Sequence, residues 1–333
     1  MYNCEIIADS KNQFGDRITT FVVTYPRIIH AEMCRHRMFS RNTASSRAIP
    51  TKKMFQYVEE DPFIPIAWQK NHKGMQGKEY VTDGEEIEKR EYHWLKARDH
   101  ALEQARTLAE MGTTKQLINR LLEPFQWSTE IITATELENF FQLRCPQYHT
   151  PVSGEGYYFR SKADCIANHS NPDNLEKMAY MSDLDWLQIN ESPAEIHIQK
   201  IAEMMWDAYN ESKPKQLNPG EWHVPFGDNL DFDTIDELSK EQGSSQEIEI
   251  KIATARCARV SYINYEGGDD YKKDLDLHDR LYQDNHASPF EHCARAMSRK
   301  EREQLYTIVK DFPDDGWCRN FKGFIQYRDV CGI

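Results

Sequence analysis

The eight cysteines of this 333-residue chain, Cys4, Cys34, Cys145, Cys165, Cys257, Cys293, Cys318 and Cys331, include no C-x-x-C pair. A chain of this length does not need disulfide staples, so they read as reduced thiols. Long apolar runs are missing as well. The opening Met1-Tyr2-Asn3-Cys4-Glu5 has no basic segment followed by an apolar one, and the expectation is a soluble, unexported, cytoplasmic protein with no membrane partner. The chain lacks a dinucleotide glycine fingerprint: Gly154-Glu155-Gly156 has no third glycine and runs into Tyr157-Tyr158-Phe159, which disfavours a Rossmann fold. Positive charge is scarce, with 41 Lys and Arg against 54 Asp and Glu and a formal net charge of -13. That balance argues against nucleic acid as the main partner. His36, His149, His197, His223, His286 and His292 lack zinc-type spacing, so no metal is expected.

Against this acidic background stands a cationic island. Arg27, Arg35, Arg37, Arg41, Arg47, Lys52 and Lys53 are accompanied by a single acid, Glu32. A basic run is ordinarily a solvated face. Here, however, Ser40-Arg41-Asn42-Thr43-Ala44-Ser45-Ser46-Arg47 interleaves guanidinium groups with small hydrogen-bonding residues, and that mixture builds an anion pocket. Arg grips phosphate through two parallel hydrogen bonds, and hydroxyls and backbone N–H groups fill the gaps. The ligands expected are phosphate-bearing nucleotides.

Hydrophobic content of 39% supports a substantial core. Cys4–Asp9 and Arg17–Tyr25 carry β-branched and aromatic residues around Gly15-Asp16 and predict a hairpin. Pro26 suits a first helical residue, and Ile28, Ile29, Met33 and Arg37 then share one side of a helix running toward Phe39. On that reading Arg35-His36-Arg37 ends a helix, and the Ser-rich stretch is a loop closed by Pro50. Residues 61–82 read as an irregular excursion. Asp83-Gly84-Glu85-Glu86 opens a long helix ending near Gly112. A further helix runs from Thr113 or Thr114 to Pro124, with Gln116 and Arg120 on one face. Glu130–Thr135 reads as a strand and Glu136–Arg144 as a helix with Asn139 and Leu143 on one face. Residues 146–192 read as an insertion. Helices are expected at about 194–210, 246–258 and 270–285, with an acidic stretch at 228–241 between the first two.

Arg35-His36-Arg37, seven residues, then Ser45, with Arg47 two beyond it, resembles the signature of the flavin-dependent thymidylate synthase (ThyX) family. Asn139-Phe140-Phe141-Gln142-Leu143-Arg144, Ala258-Arg259-Val260-Ser261-Tyr262 and His286-Ala287-Ser288-Pro289-Phe290-Glu291-His292 resemble three further family segments. The last two precede Arg-His-Arg in the usual family order and follow it here, so the chain looks circularly permuted, as in some variants associated with viruses, which would act in a host cytosol. The tail 320–328 resembles a weak echo of the helix ending in Arg-His-Arg, so partial duplication is a second reading. Glu32 stands where the family usually has Gln, and Thr43 where it usually has Glu. The resemblance implies one catalytic domain over 1–333 in permuted order, with a helical excursion at 54–112 and the insertion at 146–192. It implies an α/β (α+β) fold, a twisted, mainly antiparallel sheet packed by long helices, assembled as a homotetramer with shared sites. The insertion would lid the site, extend the interface or contact a partner.

The resemblance also implies the chemistry: reductive methylation of dUMP to dTMP, with methylenetetrahydrofolate as carbon donor, NADPH as reductant and FAD as carrier. Arg144 and Ser45 would be the catalytic residues, with Arg144 polarising the uracil. Ser45, Ser46, Arg47 and Arg120 would hold the dUMP phosphate, Ser45 by hydrogen bonding, since no triad spacing makes it a nucleophile. Glu32 would point at a base N–H, pair with an arginine, or be protonated. Arg35, His36 and Arg37 would surround the FAD; Ser261, Ser288 and Glu291 would hydrogen-bond it; Asn139 and Leu143 would bracket its isoalloxazine; and His286 would stack on folate or nicotinamide. Without the resemblance, Asn139 and Leu143 read as helix face and core, and Cys145 as packing. Three alternatives stay open: hydroxymethyl transfer or another C5 modification of a pyrimidine deoxynucleotide, a nucleotide-binding protein without catalysis, and a metal-dependent phosphohydrolase.

Overall fold

The computed structural model describes residues 1–74, 77–149, 157–168, 176, 178, 180–262, 270–308 and 316–333. The Gly154-Glu155-Gly156 run and part of the 146–192 segment lie outside these. The β-branched residues on either side of Gly15-Asp16 form β1 (Asn3–Lys11) and β2 (Arg17–Pro26), paired antiparallel from Asn3↔Thr24 to Lys11↔Arg17. Gly15 turns the hairpin at φ 90°, where a side chain would be strained. β3 (Ser40–Thr43), β4 (Trp127–Ala134) and the short β5 (Lys215–Gln216) complete a sheet of order β3-β4-β2-β1-β5, antiparallel except for the β1–β5 pair. The architecture is the expected mixed α/β fold with a mainly antiparallel sheet.

β2 and β4 are buried along almost their whole length because protein covers both faces. On one face Phe21, Val23, Tyr25 and Ile132 pack against Ile198, Ile201, Ala202 and Met205 of the helix Ile196–Glu211, joined by Phe140 and Phe141 of the helix Glu138–Arg144. On the other, Val22 and Ile131 pack against Cys257 and Val260, at the end of the helix Ser245–Arg259. Each such aliphatic or aromatic side chain contributes roughly 1.5–3 kcal/mol by leaving water.

Several elements depart from the sequence expectation. Pro26 ends β2 instead of opening a helix, and after a 3₁₀ turn (Arg27–Ile29) the helix covers only His30–Met33. Arg37 is therefore not helical. The helix stops because the Arg41 side chain takes its terminal carbonyls, donating to Met33 O at 2.6 Å and Cys34 O at 3.2 Å. The first half of the Ser-rich stretch is strand β3, not loop, since β4 offers it a free edge. The helix beginning at Lys115 tightens to 3₁₀ at Asn119 and carries Pro124 inside that turn. A helix Thr51–Glu60 follows Pro50, and the acidic stretch forms a helix, Phe232–Gln242, seated through Ile235 on Ile248 and Ile252. The long helix Gly84–Glu110 begins as expected, with the Asp83 side chain accepting from Glu86 N.

The C-terminal part adds β6 (Trp222–His223), β7 (Ala294–Ala296), β8 (Trp317–Cys318), β9 (Phe321–Lys322) and β10 (Phe324–Gln326), with β10, β7 and β6 forming a second sheet. The 320–328 tail is strand and turn up to Gln326, and its last two residues open a short helix, Tyr327–Cys331. A buried polar chain joins the two sheets: Ser10 Oγ to His223 Nδ1 (2.9 Å), His223 Nε2 to Thr20 Oγ1 (2.8 Å), Thr20 to Thr133 (2.7 Å), and Thr133 to His292 Nδ1 (2.8 Å). Within the described 146–192 residues, Tyr148, Phe159, Cys165, Met178 and Trp186 form their own small core. The Glu203 carboxylate anchors this unit, accepting from Lys162 N at 2.8 Å. No helix among the described residues is long and apolar enough to cross a membrane.

Burial lowers the pKa of both His223 and His292 from 6.5 to about 3, the second helped by the neighbouring His223. Between those limits the unfolded chain binds more protons than the native one, so stability falls as pH falls, by about 1.4 kcal/mol per pH unit for each histidine. Urea unfolding measured from pH 6.5 downward should show that steep loss, and His223→Gln should flatten it.

Candidate functional site

The cationic segment leaves the sheet edge and returns to it. Arg35 and Arg37 are exposed and His36 between them is buried, held edge-on against Phe140 with ring centroids 4.8 Å apart. Arg144, at the end of the helix Glu138–Arg144, donates from Nε to His36 Nε2 at 3.0 Å. The His36 proton therefore resides on Nδ1. Burial, then the charges of Arg144 and Arg41, lower its pKa to about 4, so the imidazole is neutral and serves as an acceptor for a guanidinium. Burial and the nearby Arg35 charge lower the Arg144 pKa, and Glu32 opposes them. Glu32 Oε2 is buried without a hydrogen-bond partner. Arg144, Arg35, His36 and Glu32 thus form one cluster.

The Ser45–Arg47 turn is fixed from two sides. Ser45 N donates to Ser261 O at 3.1 Å, which brings the 258–262 segment onto the motif. Asn42 Nδ2 reaches Cys257 O at 3.4 Å. From the other side the fully buried Asn119 donates to Ser46 O (2.7 Å) and Ile49 O (3.0 Å), and Lys115 Nζ donates to Ala48 O at 3.1 Å. Arg120 is exposed beside Asn119, and Arg47 is exposed beside Ser46. Ser46 is buried, with its hydroxyl 3.3 Å from Glu123.

Among the described residues, Arg35, Arg37, Arg47 and Arg120 make no ion pair, whereas Arg17, Arg160, Arg295, Arg302 and Arg328 all hold carboxylates. Asn139 and Leu143 lie exposed, four apart on one helix face, Leu143 at 50%. The His286–His292 segment packs on β3. His286 and Ser288 are exposed, and the Glu291 carboxylate is held by Arg328 Nη1. Arg41 drew notice in the sequence only for its charge, Glu130 only as a strand residue and the tail only as an echo of a helix, and none of their contacts with this segment could be read there. Asn320 Nδ2 donates to Met38 O (3.1 Å) and Ser40 Oγ (3.0 Å), and Gln326 Nε2 to Ser40 Oγ (3.1 Å), so the C-terminus steadies the Arg-His-Arg turn. A cleft of about 630 Å³ opens between the helix Glu138–Arg144 and the 157–164 segment, with Gln142, Tyr157 and Arg160 on its walls.

Residues 17–151 match the family model described as thymidylate synthase complementing protein. That match covers less than half of the chain; it includes Arg35-His36-Arg37, Ser45 and Arg144, and the 258–262 and 286–292 segments lie beyond it. No curated protein sequence matches. Among solved structures, a UMP/dUMP methylase PolB from Streptomyces cacaoi bound with 5-Br dUMP is similar at 17% identity, over 59% of this chain and 66% of that one, just under two thirds of its length, with a TM-score of 0.39. The same methylase bound with 5-Br UMP matches at 16% identity, over 63% and 89%, with a TM-score of 0.42. Thymidylate Synthase X (ThyX) from Helicobacter pylori with FAD and dUMP matches at 16% identity, over 52% and 71%, with a TM-score of 0.24.

Asn119 satisfies two loop carbonyls from a buried position, so Asn119→Ala should cost about 2–3 kcal/mol in denaturant unfolding. Arg120→Ala, which removes an exposed unpaired side chain, should cost less than about 0.5 kcal/mol in the same measurement.

Proposed function

We propose that this chain modifies C5 of dUMP with the help of bound FAD, and specifically that it is a flavin-dependent thymidylate synthase. The supporting observation is the set of four exposed guanidinium groups, Arg35, Arg37, Arg47 and Arg120, that make no ion pair with a carboxylate among the described residues of a chain of net charge -13. Unpaired arginines around a turn of hydroxyls and backbone N–H groups suit phosphate and pyrophosphate.

On this reading Arg47, Arg120 and the Ser45-Ser46 turn hold the nucleotide phosphate. Arg35 and Arg37 take the flavin's phosphates, Ser261, Ser288 and His286 line the approach from the other side, and Asn139 and Leu143 offer an exposed face for a flat ring. The bound flavin supplies the redox chemistry. Arg144 is held by a neutral acceptor, so its full charge is available to a uracil oxygen as negative charge develops on the base. The balance is dUMP plus methylenetetrahydrofolate plus NADPH plus a proton, giving dTMP, tetrahydrofolate and NADP⁺. A homotetramer with shared sites would supply the groups that one chain leaves facing outward.

Purified protein should be yellow and bleach with NADPH, and dUMP should stimulate NADPH oxidation. Mass spectrometry of the product should show one added methyl group; a hydroxymethyl product would replace the synthase reading by the sibling reaction. Arg144→Ala should keep the flavin and lose turnover by about 10²–10³-fold, the scale for removing one donor to a developing anion. A colourless wild-type protein that binds no dUMP would overturn the proposal.

A further inference from the structure

Glu130, in the middle of β4, is fully buried. A buried carboxylate is costly unless its lone pairs are filled and a cation stands nearby. Both conditions are met. Tyr25 OH donates to Oε2 at 2.7 Å, Thr43 Oγ1 donates to Oε1 at 2.6 Å, and Arg41 Nε lies 4.0 Å from Oε1. Burial, the largest influence, leaves the Glu130 pKa above the ordinary carboxylate value, although the two hydroxyl donors and the charges of Arg41 and Arg27 pull it back down.

Each partner passes this hold on to the cationic segment. Tyr25 has one proton and gives it to Glu130, so its oxygen accepts from His30 Nδ1, 2.9 Å away, at the start of the helix His30–Met33. Arg41 takes the carbonyls at that helix's end. Thr43 fixes β3 two residues before Ser45. The Arg35-His36-Arg37 turn lies between these fixed points.

We propose that Glu130 is the positioning residue of the anion-binding segment: a buried carboxylate that sets where Arg35, His36, Arg37 and Ser45 stand without touching the ligand. This rests on the assignment of that segment to nucleotide binding. A neutral side chain does not replace it, because two hydroxyl donors must be accepted while a guanidinium charge 4.0 Å away is balanced.

The test compares wild type, Glu130→Gln, Glu130→Thr, Thr43→Glu and the exchange variant carrying both Thr43→Glu and Glu130→Thr, which returns the carboxylate to the same place from the facing strand. Glu130→Gln and Glu130→Thr should weaken dUMP binding about tenfold or more. They should speed amide exchange across residues 30–43 and leave the β1–β2 hairpin unchanged. The exchange variant should recover most of the affinity, a non-additivity that a merely structural loss would not produce. Wild-type affinity and exchange rates in Glu130→Gln, or strictly additive single effects, would overturn the proposal. Should Glu130→Gln fail to fold, Tyr25→Phe must still shift both readouts in the same direction. If the wild type binds no dUMP, the functional reading falls, while inorganic pyrophosphate affinity and the exchange rates of 30–43 still decide the role of Glu130.

Discussion

β2 and β4 have protein on both faces, so the polar groups in their buried middle cannot turn to water. Every buried hydroxyl, imidazole or carboxylate there must be satisfied from within. The requirement falls differently on the two faces. Toward the helix Ser245–Arg259, Thr20 and Thr133 bond each other and are flanked by the buried His223 and His292. Toward the helix Ile196–Glu211, Glu130 gathers Tyr25, Thr43 and Arg41. The cationic segment is tied to the second arrangement through Arg41 and Thr43.

Neutral histidines make this crowding of cations tolerable. His36 stands between Arg144 and Arg41, and His30 feels Arg27 and Arg41; burial and those charges lower both pKa values to about 4. A protonated imidazole in either place would add to the repulsion. An unprotonated one offers a lone pair, and His36 uses it to orient Arg144. Arg17, Arg160, Arg295, Arg302 and Arg328 are neutralised by carboxylates, which fixes them but cancels their field. At this turn the field is retained because orientation comes from carbonyls, an imidazole and one deeply buried anion.

The hairpin, β4 and the helix Gly84–Glu110 were legible because their signals are local: β-branched runs around Gly15, and an Asp83 cap before a charged helix. β3 was not, since Ser40-Arg41-Asn42-Thr43 carries no apolar run and becomes a strand only through the edge of β4. The helix His30–Met33 read too long because Arg41, several residues later, competes for its carbonyls. The helix Phe232–Gln242 was hidden by its acidity; its apolar contact with the core runs through Ile235 and a half-buried Leu238. In the candidate site the residue types of Arg35, His36, Arg37, Ser45 and Arg144 were legible. Their mutual placement was not, because the contact between His36 and Arg144 spans more than a hundred positions of chain and has no local signature. Glu130 read only as a strand residue, since alternation alone does not say which face of a twice-covered sheet holds the loop.

The contacts that finish the turn come from far along the chain: Ser261 O on Ser45 N, Cys257 O on the Asn42 amide, Asn320 and Gln326 on Ser40. Loop-closure entropy grows only with the logarithm of the intervening length, so doubling the separation adds about 0.6 kcal/mol. Segments that approach from behind the sheet are thus nearly indifferent to their place in the chain order. What they must satisfy is geometric: carbonyls and amides at hydrogen-bond distance from a turn already held by Glu130 and Asn119. A site built this way tolerates rearranged connectivity far better than it tolerates loss of a single buried polar partner.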